Sequence, residues 1–257
     1  MEIDNLLVRI DALKQTIDRR RPLSPMEARE LREYFRVDLT YSSNALEGNS
    51  LTLSETKVLL EDGLTVGGKP IRDSYEAVGH ADAYDFMLTA AQSQNLTVTQ
   101  TLILELHRLF YARVDGDKAG RYRDHRVFIS GTTYLPPAPR DLPALMERFI
   151  DEVAIRAEAL HPVLLAAFAH RRLVDIHPFS DGNGRTARLL MNLILLNRGY
   201  FIVSIPPVLR HDYIEALRTA QRNTDPTDEP FNRLIAECEI ETEKDYARLL
   251  QIPLDQA

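Results

Sequence analysis

Apolar residues recur every three to four positions through most of the chain, the signature of amphipathic helices. Ile3, Leu6, Leu7, Ile10, Leu13 and Ile17 share one helical face. Ser24-Pro25-Met26-Glu27 reads as a capping box with proline at the first helical position, opening a helix to about Phe35. A separate helix follows from Thr40 to Leu46, stopped by Gly48, and Thr52-Leu53-Ser54-Glu55 caps another to about Glu61. After a loop over Gly63–Pro70, helices are predicted for Tyr75–Ala91, from Thr99 with Leu102, Ile103, Leu106, Leu109 and Phe110 on one stripe, and from Asp141 with Leu142, Leu145, Phe149 and Val153 buried. His161–Ile176 and Leu189–Leu196 are apolar almost all round and belong at the centre of a bundle. Further helices fall at about His211–Arg222 and Pro230–Leu250. Only Asp115–Pro139 breaks the pattern: Arg126–Ser130 and Thr132–Leu135 are β-rich and flank Gly131, which predicts a β-hairpin. The fold class is therefore all-α with one hairpin.

Composition changes this picture little. The 257 residues carry 31 Lys+Arg against 38 Asp+Glu, a formal charge of −7 that argues against a nucleic-acid binder. The single cysteine, Cys238, excludes a disulfide framework and a Cys-based zinc site. No apolar run approaches a membrane span, and MEIDNLLVRID is acidic from its second residue, unlike a signal peptide. The expectation is a soluble cytoplasmic protein whose first helix is a packing or homodimer element rather than a membrane anchor.

One segment stands apart: His177-Pro178-Phe179-Ser180-Asp181-Gly182-Asn183-Gly184-Arg185-Thr186-Ala187-Arg188, between the two most apolar helices. Gly182 and Gly184 can take positive φ and Asn183 tolerates it, so their N–H groups can converge into an anion-binding nest. A helix predicted to start at about Gly184 points its positive end at the same spot. Arg185 and Arg188, spaced i, i+3, place two guanidinium groups near that end. Cations there oppose the helix dipole, which favours an anionic ligand; Gly-Asn-Gly alone reads equally as a tight turn. Asp181 would repel a phosphate unless a divalent metal lay between them, Mg²⁺ being apt; otherwise it is an N-cap. His177 has the chemistry of a general base, and Phe179 plugs the loop into the core.

This segment resembles the Fic-domain signature, HPFx(D/E)GNGRxxR, at every defining position. Gly120-Arg121-Tyr122-Arg123 followed by Val127–Pro137 is similar to the family's substrate-binding flap. The resemblance covers about residues 40–235, leaving 1–39 as a helical extension and 236–257 as a tail packed on the core. It implies a Fic-type helical bundle with one β-hairpin flap at about 126–137. The implied reaction is transfer of AMP from ATP, with Mg²⁺, to a Ser, Thr or Tyr hydroxyl of a target protein docked on the flap. By position, His177 is the base and Asp181 the metal ligand. Gly182, Asn183 and Gly184 line the phosphate nest, and Arg185 and Arg188 grip the β- and γ-phosphates. Phe179 and the flap residues Ser130, Gly131 and Thr132 border the nucleotide. Tyr213 lies against adenine or is a helix core residue. Gly184 is intact, where relatives that turn the nucleotide around carry Lys.

Upstream, Ser43-Asn44-Ala45-Leu46-Glu47-Gly48 resembles the family's inhibitory motif, (S/T)xxxE(G/N). The resemblance implies that Glu47 pairs with Arg188 and denies it to the γ-phosphate, Ser43 lying one turn before on the same face. The same glutamate also fits a base for hydrolytic removal of AMP. A nucleotide-sensing module with little turnover is the remaining alternative.

Overall fold

A computed structural model describes residues 2–65, 67–94, 96–129, 132–222 and 227–254. Ten α-helices make up the described chain: α1 (Ile3–Asp18), α2 (Pro25–Leu46), α3 (Leu53–Asp62), α4 (Ile71–Ala91), α5 (Gln100–Tyr111), α6 (Leu142–Arg156), α7 (Pro162–Ile176), α8 (Asn183–Asn197), α9 (Arg210–Ala220) and α10 (Glu229–Leu249). The two predicted capping boxes are formed at Ser24/Glu27 and Thr52/Glu55.

The centre is the pair α7–α8, with α4 and α5 packed on α8 and α10 packed on α7. In α8, Leu189, Leu190, Leu193 and Leu195 are fully buried, as its all-round apolarity requires. An extended apolar segment, Phe201–Ile205, also lies inside. Among the described residues it has no strand partner. Instead Asn192 accepts from the Val203 N–H (2.6 Å) and donates to its C=O (3.0 Å), and Glu239 accepts from the Phe201 N–H (3.0 Å). Those bonds supply what a buried backbone demands.

One expectation needs correction and one is not shown. The break predicted between Phe35 and Thr40 does not exist: α2 runs unbroken for 22 residues, because Arg36-Val37-Asp38-Leu39 holds no Gly or Pro and Leu39 faces the core. This delivers Glu47 to the end of a long, well-anchored rod. The hairpin is the second. Among the described residues there is no β-strand; 126–129 and 132–137 carry no ladder, and Ser130 and Gly131 lie outside the described residues. Two short runs without a third strand or a packed face are marginal as a hairpin.

Candidate active site

α7 ends on His177, which adopts the left-handed conformation (φ 51°, ψ 56°). A non-glycine residue there is uncommon and costs energy, and nothing in the sequence pattern signals it. The turn aims the imidazole into a cleft of about 420 Å³, lined also by Asp181, Gly182, Asn183, Gly184, Glu47, Thr132 and Tyr213. His177 Nδ1 donates to the Val174 C=O (3.3 Å), which leaves Nε2 as the unprotonated nitrogen. Burial lowers the imidazole to about 4, against the raising effect of that bond and with Arg123 adding to the fall. At neutral pH it is therefore a free base.

The loop after His177 is fixed from several directions. Phe179 is fully buried, its ring stacked on His107 at 3.8 Å, so it shapes the loop from beneath instead of facing the cleft. His107 Nε2–H donates to the Asp181 C=O (3.0 Å) while Nδ1 accepts from the Gly120 N–H (2.9 Å). Asn183 brackets Phe179, accepting from its N–H and donating to its C=O, both at 2.9 Å. Arg123, 4% exposed, donates through Nε to the His177 C=O (2.8 Å) and through Nη2 to the Pro137 C=O (2.7 Å), tying the loop to the foot of the predicted flap.

The two glycines differ in role. Gly182 has φ +77°, and a Cβ there would meet the Phe110 ring at 2.6 Å. Gly184 does not have the positive φ expected of it; it is helical, as is Asn183, where α8 begins. Its requirement is space, since a Cβ would stand 2.2 Å from Glu47 Oε1. No side chain caps α8, so its first-turn N–H groups and positive end remain for an anion.

Both arginines lie below the surface. Arg188 is 1% exposed, and its guanidinium is held on every edge. It donates to Glu47 Oε1 (2.7 Å), the Ser43 C=O (2.8 Å), Ser43 Oγ (2.9 Å) and the Tyr213 hydroxyl (3.0 Å). Burial pushes the Tyr213 phenol up to about 12, and its proton goes to His170 Nε2 (3.2 Å). Tyr213 thus combines a core position with a place on the cleft wall. Burial works against ionisation of Glu47, but Arg188 and then Arg185 outweigh it and hold the carboxyl below its ordinary value. Arg210 Nε donates to the Leu46 C=O (2.8 Å), fixing the end of α2 that carries Glu47.

Arg185 faces another way. It pairs with Glu76 Oε2 (3.0 Å), reaches Asn44 Oδ1 (3.3 Å) and Asp181 Oδ1 (3.4 Å), and lies over the Phe110 ring (4.5 Å). Asp181 takes the Gly182 N–H (2.6 Å) and, on Oδ2, Arg72 (2.5 Å). Burial opposes its ionisation, but Arg185, the Gly182 N–H and Arg72 together keep its carboxyl below the usual range. Sequence reasoning did not single out Arg72, Glu76 or Arg210, and it quoted Arg123 only as part of the flap motif, with no link to His177. Only the i, i+4 spacing of Arg72 and Glu76 was visible there, and it carries no hint of a site.

The Fic/DOC family model matches residues 97–195, which span α5 through most of α8. The chain is 41% identical over 204 residues to Protein adenylyltransferase Fic of Nematostella vectensis, a match covering 77% of this chain and 45% of that protein. It thus spans less than half the length of that relative. Among solved structures, a Fic domain containing signaling protein from Bacteroides thetaiotaomicron aligns with a TM-score of 0.87 at 29% identity, over 96% of this chain and 99% of that one. A fragment of Fic-1 from C. elegans gives 0.86 at 29% identity, over 97% and 73%. The all-α frame, the signature loop and these likenesses agree: the chain belongs to the Fic/DOC family.

Proposed function

We propose that this chain transfers AMP from ATP to a Ser, Thr or Tyr hydroxyl of a target protein or of itself, and that Glu47 holds the reaction in check. One observation carries the reading. A neutral imidazole, an uncapped helix N-terminus and a carboxylate-plugged arginine meet around one cleft.

The target hydroxyl gives its proton to His177 Nε2 as its oxygen attacks the α-phosphorus. The bond from that phosphorus to the bridging oxygen breaks, and pyrophosphate leaves. Little covalent work falls to the protein, so alignment and charge stabilisation carry the rate. The first turn of α8 receives the phosphates, and Arg188, already shaped by Ser43 and Tyr213, grips the terminal one once Glu47 withdraws. Asp181 fits Mg²⁺: its side chain is 41% exposed, and a lone carboxylate suits a metal that completes its shell with phosphate oxygens and water. When bound, Mg²⁺ neutralises charge on the leaving pyrophosphate. The segment over 126–137 is the flap that docks the target, with Phe128, Ile129 and Thr132 on the cleft wall.

Glu47 also supports a second reading. Its side chain is 36% exposed and borders the cleft shared with His177, so it can position a water to remove AMP from a modified protein. Incubation with labelled ATP separates the possibilities. Glu47→Gly should take up label far more strongly than wild type, and the Glu47→Gly, His177→Ala double variant none. Absence of label in Glu47→Gly despite measurable ATP binding would favour a nucleotide sensor. Release of AMP from a modified partner that depends on Glu47 would favour hydrolysis.

A further inference from the structure

Arg72, Glu76, Arg185 and Asp181 form a closed ring of alternating charge. Arg72 Nε donates to Glu76 Oε1 (2.9 Å), and Arg185 Nη1 donates to Glu76 Oε2 (3.0 Å). Arg185 Nη2 reaches Asp181 Oδ1 (3.4 Å), and Arg72 Nη2 closes the circle on Asp181 Oδ2 (2.5 Å). The Gly182 N–H and the Tyr111 hydroxyl (3.4 Å) add two more donors to the same carboxylate. Both oxygens that a metal would use are therefore already turned toward hydrogen-bond donors, and a cation gains access only where one of them yields.

The four donors are unequal. The Gly182 N–H is fixed by the backbone turn. Arg185 has a side chain 4% exposed, braced by Glu76, Asn44 and Phe110. Tyr111 makes the longest contact with Oδ2. Arg72 has a side chain 52% exposed, sits in the first turn of α4 on a long flexible stem, and besides Asp181 has Glu76 as its partner in the ring. Moving its guanidinium outward breaks no contact of the Glu76–Arg185 pair.

We propose that Arg72 is a metal surrogate on Asp181, a protein cation that neutralises the carboxylate and must be displaced for the divalent ion to bind. This rests on the adenylyl-transfer reading of the site. The design solves a problem of sign: a bare Asp181 would repel an approaching triphosphate, whereas a guanidinium-paired one does not. It also sets a toll on metal loading and links that loading to the start of α4, since a metal on Oδ2 releases Arg72.

The test uses the full chain in a Glu47→Gly background with Mn²⁺ as the probe, its free fraction followed by electron paramagnetic resonance at saturating ADP. Arg72→Gln removes the charge and should tighten Mn²⁺ about five- to tenfold, the scale of one partly exposed ion pair plus relief of repulsion toward a dication. Arg72→Lys keeps the charge and should stay within about twofold of the parent. Melting curves check that each variant is folded; Arg72→Ala replaces Arg72→Gln if the latter is not. Unchanged or weaker Mn²⁺ binding in the charge-removed variant, with binding still lost in Asp181→Asn, overturns the surrogate role and leaves the site reading standing. Mn²⁺ binding that survives in Asp181→Asn overturns the metal assignment itself.

Discussion

Residues 177–188 and the described part of 126–137, through Phe128, Ile129 and Thr132, border the same cleft, yet they are built in opposite ways. In the first, nearly every backbone turn has a named partner: Asn183 brackets Phe179, His107 holds the Asp181 carbonyl, and Arg123 holds His177. The second is anchored at its feet, where Arg123 donates to the His125 and Pro137 carbonyls and the Tyr134 hydroxyl donates to Asp175 C=O (2.9 Å), while Phe128 stands 78% exposed. On the function proposed above, the first loop does chemistry on phosphate, which tolerates little displacement and calls for an over-determined loop. On the same proposal the second receives a target protein, which calls for exposed apolar groups and free backbone that a packed loop cannot offer.

The largest effect expected from breaking the rigid side is chemical. His177→Ala in a Glu47→Gly background should cost about 10²–10⁴-fold in AMP transfer, the range of a lost general base, with ATP binding retained. The pH profile sharpens this. Burial sets the His177 imidazole near 4, so kcat/KM should stay flat from pH 8 down to about 6; an acid limb centred near 6.5 would contradict the buried, neutral base. Stability moves the same way. His107 is likewise lowered to about 4, mainly by burial, and His170 well below its ordinary value. Between 6.5 and 4 the unfolded chain takes up protons that the folded chain refuses. The contribution of these groups is therefore full above about 6.5 and is lost as pH falls toward 4.

A smaller effect should follow from adding one methyl to the rigid side. Gly182→Ala forces a left-handed alanine and drives its Cβ into the Phe110 ring. The conformational cost of about 1–2 kcal/mol and the overpacking cost of about 1–3 kcal/mol together give a loss of about 2–5 kcal/mol. Chemical denaturation would measure it, and a change under 1 kcal/mol would mean that the loop is looser than its hydrogen bonds imply.

The same contrast governs what was legible in the amino-acid sequence. Helices with capping boxes were plain because cap, proline and glutamate lie within four residues of one another. The signature loop was plain because its chemistry is contiguous, and the pairing of Glu47 with Arg188 followed from a resemblance that the geometry then met at 2.7 Å. The hidden parts come from far along the chain: Arg72 reaches Asp181 across 109 residues, and Arg123 reaches His177 across 54. No local period encodes such contacts. Gly184 was read correctly as special but for the wrong reason, because closeness to Glu47 is a tertiary fact whereas backbone freedom is a local one. The α2 break between Phe35 and Thr40 had no Gly or Pro behind it, and the buried Val37 and Leu39 carry the helix through.

The smallest effect on stability should come from the other wall of the cleft. Phe128→Ala removes a side chain that is 78% exposed, so denaturation should shift by no more than about 0.5 kcal/mol. Its function should suffer more than its fold. An exposed aromatic on a cleft wall that receives a protein is the kind of anchor whose truncation costs about 1–2 kcal/mol of binding. With a His177→Ala copy as acceptor and Glu47→Gly as donor enzyme, labelling in trans should need several-fold more acceptor, while the KM for ATP stays put. If the KM for ATP rose instead, Phe128 would belong with the nucleotide, and the division between a wall that does chemistry and a wall that receives the target would have to be redrawn through the flap itself.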